Sequence, residues 1–190
     1  HLNIAGKPLI ITGNGSEKPR SEPVESGPNG QKIASYMGDA VNGVDVDDRE
    51  PDPERMVVAA MQAHDVHYAI DHMNGDVHVP STQEVLLLPS IRGMMRNTSN
   101  NGKYLASTDL PWIGERTRGP SGEHVELLRH IRNPVGIKIG PSTASEDIKS
   151  LSRKLNLQNE PGKLVFILRI GLDSIEKAPT IMDAIAKHAP

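Results

Sequence analysis

The sequence predicts a parallel α/β fold, because short apolar runs alternate with helical patterns along most of the chain. Three apolar runs, at 110–114, 135–139 and 163–170, carry or precede a charged residue, and a helical pattern follows each. An earlier apolar run at 7–13, ended by glycine, adds a fourth predicted strand. Because helical crossovers join parallel strands, we expect a four-stranded parallel sheet with right-handed connections.

Composition limits the class of protein. The 190 residues fit one domain with a real core, and the net charge of −3 gives no general attraction to nucleic acid or anionic membranes. No apolar run approaches the roughly 18 residues that a membrane span requires. The absence of cysteine excludes disulfides and thiolate metal ligands. We therefore expect a soluble, cytoplasmic protein with no nucleic-acid or membrane partner.

A single domain is expected over 1–190, with a long loop at about 16–51 that is rich in proline, glycine, serine and acids. Asp52 and Pro53 have the residue types of a helix cap and a first helical position, so they predict a helix over about 53–73. A second helix is predicted over about 82–95. Further helices are predicted at about 122–132, 145–155 and 174–188.

Lys138 is the most informative candidate residue, since it lies between two glycines on one face of a predicted strand. Strand alternation places Gly136, Lys138 and Gly140 on one face and the apolar side chains of 135–139 on the other. The glycines leave room and the ammonium supplies charge, as the floor of an anion site requires. An edge-strand lysine that reaches water is the alternative interpretation.

Arg169 lies near the carboxyl end of the strongly apolar strand predicted at 163–170. A phosphate or carboxylate would satisfy its forked donors, and a salt bridge to a glutamate on a neighbouring strand is the alternative. Arg116 can add to the same site, whereas Glu115 can pair with Arg169 or Lys138 or hold a water molecule. Three strand ends that supply Arg116, Lys138 and Arg169 predict a site for a small, multiply anionic substrate.

Two other groups of residues have weaker signals. Arg20 follows a proline that fixes the local backbone, so it can contribute rigidly to the same anion site. A histidine and aspartate cluster between His64 and His78 has metal-like composition but meets no recognised ligand spacing. His124 and His130 are expected to pack or to face solvent on the helix at about 122–132.

Five motifs follow one another from Lys18 onward. They are Lys-Pro-Arg-Ser at 18–21, Ser-Tyr-Met-Gly-Asp-Ala-Val-Asn-Gly at 35–43, Trp-Ile-Gly-Glu-Arg-Thr-Arg at 112–118, Asn-Pro-Val-Gly-Ile-Lys-Ile-Gly-Pro at 133–141, and the segment 159–169 that begins Asn-Glu-Pro-Gly. In this order they resemble the motifs of class II 3-deoxy-D-arabino-heptulosonate 7-phosphate (DAHP) synthases. The segment 104–112 is most similar to the branch used in phenazine biosynthesis.

This resemblance implies a (β/α)8 TIM barrel that condenses phosphoenolpyruvate with erythrose 4-phosphate at a divalent metal. The reaction is the first step of the shikimate route to aromatic amino acids, or of a phenazine-type pathway. By motif order the four strands match about the second to fifth of the eight, so we expect a partial barrel of about four βα units. The residues implied to contact phosphoenolpyruvate are Arg20, Glu115, Arg116, Lys138 and Arg169, with Ser35 near the sugar phosphate. Among these, Glu115, Arg116 and Lys138 are expected to be catalytic.

The chain also departs from the family pattern. The family's metal, of the Mn²⁺ or Co²⁺ type, is held by a Cys, a His, a Glu and an Asp, and this chain has no cysteine and ends before the Asp-Pro-Met-His-Gly-Asn motif. Met37 stands where the family usually carries arginine. We therefore assign no metal ligand in this chain and expect an incomplete sequence. Half a barrel has two open edges, and we expect a homo-oligomer.

Three interpretations remain open on the sequence alone. The leading one is a DAHP synthase whose sequence is incomplete here. The second is a non-catalytic half-barrel that binds a phosphate ligand and dimerises or docks on a full-length synthase. The third is a different phosphate-ester enzyme whose metal is held by the histidine cluster between His64 and His78.

Overall fold

A computed structural model describes residues 2–4, 7–9, 12–13, 24–73, 80–99 and 102–189. Contacts divide the chain into two compact units, His1–Pro80 and Ser81–Pro190. The expectation of one domain over 1–190 therefore stays a prediction. Among the described helices, none combines the length and the apolar character needed to span a bilayer.

The first unit combines short strands with one long helix. Its elements are β1 (Leu2–Ile4), β2 (Lys7–Leu9), β3 (Thr12–Gly13), β4 (Val24–Ser26), β5 (Lys32–Ala34), a 3-10 turn at Val46–Asp48 and α1 (Pro53–Met73). β1 pairs antiparallel with β2, and β4 pairs antiparallel with β5. The prediction of one continuous parallel strand over 7–13 is wrong for β2, because β2 pairs antiparallel with β1. The predicted loop at about 16–51 likewise contains the β4–β5 hairpin.

The start of α1 confirms the prediction made from its first residues. Asp52 Oδ1 accepts a hydrogen bond of 2.9 Å from the backbone N–H of Glu54, which has no partner within the helix. Pro53 is the first helical residue, where its missing N–H costs nothing. The helix then continues to Met73, as its apolar spacing predicts.

The second unit contains a parallel sheet with helical connections. Its elements are β6 (Ser81–Glu84), α2 (Leu88–Gly93), β7 (Met95–Asn97), β8 (Lys103–Leu105), β9 (Leu110–Ile113), α3 (Glu123–Leu128), β10 (Val135–Ile139), α4 (Ser145–Leu155), β11 (Leu164–Leu168), a 3-10 helix at Leu172–Lys177 and α5 (Ala178–His188). Four strands lie in the order β11, β10, β9, β6, and all three pairings among them are parallel. β7 and β8 form an antiparallel hairpin beside this sheet. A parallel α/β architecture is confirmed, whereas closure into a barrel stays a prediction.

The helix predicted over 82–95 is wrong. Ser81–Glu84 is a strand of the parallel sheet, and only Leu88–Gly93 is helical within that range. Contacts distant in sequence explain the difference: Asp109 Oδ2 accepts a 2.7 Å hydrogen bond from the backbone N–H of Ser81. The sequence of this segment has no alternation typical of a strand, so its structure is decided by pairing with β9.

The core lies between the sheet and helices α2 to α5. The apolar side chains of β10 on this face, Val135, Ile137 and Ile139, are fully buried, as strand alternation predicts. From the helices, Val125, Leu128, Ile148 and Leu151 are also fully buried. Since this face of the sheet is filled, polar side chains of the strands can lie only on the opposite face or at the strand ends.

Lys163 holds the amino ends of β10 and β11 together. Its Nζ donates to the carbonyl oxygens of Ile131 at 2.6 Å and Asn133 at 2.5 Å. Burial lowers the pKa of Lys163 below its ordinary range. These hydrogen bonds lie at the amino edge of the sheet, opposite the carboxyl edge where the candidate residues lie.

Candidate functional site

Lys138 lies on the sheet face that the helices do not cover, where its ammonium contacts an aromatic ring. Its Nζ is 3.8 Å from the centroid of the Trp112 ring, a cation–π contact. Trp112 is opposite Gly136 in the register of β9 and β10. A Cβ on Gly136 would lie 2.6 Å from Trp112 Cβ, so glycine is required for this close approach. Among the described residues, no carboxylate pairs with Lys138, and the ammonium is available to an anion.

Glu115 lies against the carboxyl end of β10 at Gly140, and Gly140 is two residues after Lys138. A Cβ on Gly140 would come within 3.0 Å of both carboxylate oxygens of Glu115. Ser142 Oγ donates a 2.7 Å hydrogen bond to Glu115 Oε1. Of the partners considered from the sequence, neither Lys138 nor Arg169 forms an ion pair with Glu115 in the described structure. Its cationic partner is Arg118 instead, at 3.8 Å.

Arg118 was not assigned a role from the sequence, although it lies within the quoted motif at 112–118. It is only 9% exposed, and its Nη2 donates a 3.0 Å hydrogen bond to Thr143 Oγ1. A second carboxylate, Asp147 Oδ2, is 3.8 Å from its Nη1. No periodic signal in the sequence distinguishes this arginine, because its burial depends on the loop between β10 and α4.

Glu84 is a second carboxylate on the same face that the sequence reasoning missed. It is opposite Trp112 in the register of β6 and β9, so both side chains lie on the face that carries Lys138. A Cβ on Gly114 would lie 2.5 Å from Glu84 Oε1, and the missing side chain leaves room for this carboxylate. The incorrect helix over 82–95 is the reason that it was missed.

Arg169 extends the pairing of β10 and β11 by one residue, because its N–H donates a 2.8 Å hydrogen bond to the carbonyl of Ile139. Alternation puts its side chain on the face of Ile167, which is opposite Lys138. The side chain is exposed, as is that of Arg116 in the turn after β9. Adjacent strand ends thus supply Arg116, Lys138 and Arg169, and the convergence of their nitrogens on one anion stays a prediction.

The two remaining predicted residues belong to the first part of the chain. Arg20 lies outside the described residues. Ser35 is 2% exposed, and its carbonyl accepts a 2.9 Å hydrogen bond from Asn42 Nδ2. Because Asn42 Oδ1 also accepts from the N–H of Met37, the loop around Ser35 is well fixed. Its role near a sugar phosphate stays a prediction.

The described residues do not fit the metal centre that the resemblance implies. Within the described parts of the chain, no three His, Cys, Asp or Glu side chains are grouped closely enough to hold a metal ion. Of the predicted histidine cluster, His64 and His72 both have ring contacts with Tyr68, at centroid distances of 6.5 and 3.8 Å, and the side chains of the other members are not described. His124 packs as expected, with its Nε2 3.0 Å from the carbonyl oxygen of Leu86.

A second concavity lies away from these residues. It has a volume of about 610 Å³ and is lined by Arg92, Met95, Asn97, Lys103, Leu127 and His130. The hydrogen bond from His130 lowers the pKa of neighbouring Glu126, and Arg129 adds to this effect. None of Glu115, Arg116, Lys138 or Arg169 lines this groove, so it is separate from the candidate site.

Fold and site together define an α/β protein with basic and acidic side chains at the carboxyl edge of a parallel sheet. Comparison with known families identifies the family: two overlapping segments, 11–75 and 60–189, match the class-II DAHP synthetase family. The chain belongs to this family, as its motifs indicated.

Curated relatives agree with this assignment. A phospho-2-dehydro-3-deoxyheptonate aldolase of Streptomyces coelicolor is 31% identical over 223 aligned positions, covering 88% of this chain and 49% of the relative. The Neurospora crassa protein of the same name is 31% identical, covering 90% of this chain and 50% of its own length. A probable phospho-2-dehydro-3-deoxyheptonate aldolase of Pseudomonas fluorescens is 32% identical, covering 82% and 42%. The chain thus spans about half the length of the curated relatives it matches.

Proposed function

We propose that this chain carries the phosphoenolpyruvate-binding part of a DAHP synthase, which condenses phosphoenolpyruvate with erythrose 4-phosphate. The observation that carries the proposal is Lys138, held over Trp112 on an open sheet face without a carboxylate partner in the described structure. Glu115 lies at the same strand end. Family membership supports this reaction over other uses of an anion site.

In the proposed reaction, the enol carbon of phosphoenolpyruvate forms a bond to the aldehyde carbon of erythrose 4-phosphate. Water then adds to the carbon that bears the ester oxygen, and phosphate leaves. Lys138, Arg116 and Arg169 bind the phosphate and carboxylate groups and offset charge that develops in the transition state. Glu115 orients the attacking water.

The family's divalent metal, of the Mn²⁺ or Co²⁺ type, would be held by side chains other than those described, and no step above depends on it. Delivery of the product to aromatic amino acids or to a phenazine-type pathway is proposed from the motif resemblance. A cytoplasmic location belongs to the same proposal.

The test is a Lys138→Ala variant assayed beside wild type for phosphate release from both substrates with Mn²⁺ or Co²⁺ present. We expect kcat/KM to fall roughly a hundredfold to a thousandfold, the loss typical of one removed charge-stabilising donor. Lys149→Ala is a matched control, because the ion pair of Lys149 among the described residues is with exposed Glu146 on α4. Unchanged activity in Lys138→Ala would contradict the proposal.

Binding separates this function from the non-catalytic half-barrel. Trp112 is the single tryptophan of the chain and contacts Lys138, so its fluorescence should report phosphoenolpyruvate binding directly. Phosphoenolpyruvate that quenches Trp112 without phosphate release would favour the binding-only alternative. If phosphoenolpyruvate does not bind at all, the proposed function is wrong, and the binding-only alternative would require a different phosphate ligand.

A further inference from the structure

Arg118 is a buried cation between two carboxylates. Glu115 and Asp147 each lie 3.8 Å from one of its terminal nitrogens, and Thr143 accepts its closest hydrogen bond. Its Nε has no hydrogen-bond partner within the described part of the chain. Burial of an arginine costs several kcal/mol, and hydrophobic replacements of similar volume are often as stable. Structural stability is therefore a weak reason for an arginine at this position.

Asp147 is already engaged elsewhere, since its Oδ2 accepts a 3.1 Å hydrogen bond from the backbone N–H of Ala144 at the start of α4. Glu115, by contrast, has side-chain partners alone within the described residues: Ser142 donates to one oxygen, and Arg118 supplies the positive charge. Of the two carboxylates, Glu115 thus depends more on Arg118 for its position.

Lys138 is a competing cation. It lies two residues before Gly140, the residue that Glu115 contacts, and both positions are on the same strand face. Without Arg118, the positive charges on this face beside Gly140 would be those of Lys138 and of Arg169, which is opposite Gly140 when the register of β10 and β11 continues by one residue. A Glu115–Lys138 pair would neutralise the ammonium and draw it away from the Trp112 ring.

We propose that Arg118 is a positioning residue that holds Glu115 away from Lys138 and so keeps Lys138 available to the anionic substrate. Its effect on catalysis rests on the proposed function. Arg118 itself lies in the buried loop junction and acts through Glu115. The pairing that it prevents can be detected in the ligand-free protein, without any assay of activity.

The experiment is a double-mutant cycle of Arg118→Met and Glu115→Gln, read out by Trp112 fluorescence in the free protein. Arg118→Met should shift the emission, because Lys138 leaves the ring. In the Glu115→Gln background the same substitution should cause no further shift, since no carboxylate remains to attract Lys138. Equal shifts in both backgrounds, or no shift in either, would overturn the proposal.

Kinetics provide a second readout. We expect Arg118→Met to raise KM for phosphoenolpyruvate about tenfold, which is within the range of coupling between residues in contact, and to add less than about twofold in the Glu115→Gln background. Arg118→Lys should restore most of the loss because it keeps the charge. Lys149→Gln, which removes a partly exposed cation from α4, should leave KM unchanged.

Folding defects can be separated from positioning. Thermal unfolding of each variant identifies a loss of structure, and exposed Ser142→Ala weakens the hold on Glu115 without disturbing the buried arginine. Ser142→Ala should shift Trp112 emission in the same direction as Arg118→Met, by a smaller amount, and a shift in the opposite direction would overturn the proposal. If wild type fails to bind phosphoenolpyruvate, the proposed function is wrong, and the fluorescence cycle still decides the role of Arg118.

Discussion

At the scale of single residues, the candidate site depends on glycines as much as on charged side chains. Gly136 allows Trp112 to approach β10, Gly140 accommodates Glu115, and Gly114 leaves room for Glu84. Each of these glycines is next to a residue whose bulky side chain is buried on the other face of the sheet. The charged groups can therefore lie close to the sheet backbone.

A Gly136→Ala substitution should destabilise the protein by about 1–3 kcal/mol, because its Cβ would overlap Trp112 and crowd Ile167. Urea unfolding measures this loss, and the fluorescence of Trp112 should change with it. Gly171→Ala is the control, since a Cβ there has no neighbour within 4 Å and the φ angle of −73° suits alanine. Equal stability of the two variants would contradict the close contact.

Glu115 and Lys138 could be chosen from the sequence because glycines and a motif surround them. Arg118 and Glu84 could not, for two physical reasons. Burial of Arg118 is created by a loop that folds back from the next strand, and Glu84 belongs to a strand whose partner lies more than twenty residues further along the chain. Local patterns contain no information about either contact.

At the scale of elements, amphipathic spacing is the sequence feature that best predicted where a helix lies. Ser145–Leu155 was located correctly because Ile148, Leu151 and Leu155 recur on one helix face, and all three are buried. Helix α3 is shorter than the predicted range of about 122–132, and it ends at Leu128 before a turn. The short strand β6 carries no such periodic pattern, and it was misassigned.

Leu151→Ala should lower the free energy of unfolding by about 2–5 kcal/mol, because the side chain is fully buried where α4 contacts the core. Chemical denaturation measures the change. Lys149→Ala, on the solvent side of the same helix, should change stability by less than about 0.5 kcal/mol. A loss below about 1 kcal/mol for Leu151→Ala would mean that α4 does not pack as described.

At the scale of the whole molecule, the sheet has an unpaired edge within the described residues. β11 is at one end of the strand order and pairs only with β10. Val165 and Leu168 are 38% and 39% exposed, which is high for such an apolar strand. An exposed edge of this kind readily pairs with another chain unless it is covered.

We therefore expect the purified chain to form a homo-oligomer through the outer edge of β11, measured by light scattering coupled to gel filtration. Since Arg169 donates its N–H toward β10, alternation directs the N–H of Leu168 to the open edge. Leu168→Pro should remove that donor and reduce the mass to a monomer, whereas Leu168→Ala should not. A monomeric wild type would contradict this expectation.

The sequence alone predicted a parallel α/β class, the family, the helices α1 and α4, and the two faces of β10. These features depend on interactions within about one helical turn or one strand, which periodicity records. Folding in three dimensions was needed to show that Ser81–Glu84 is a strand, that Arg118 accompanies Glu115, and that Lys138 contacts Trp112. Those outcomes depend on contacts between residues distant in sequence, and local sequence patterns do not predict such contacts.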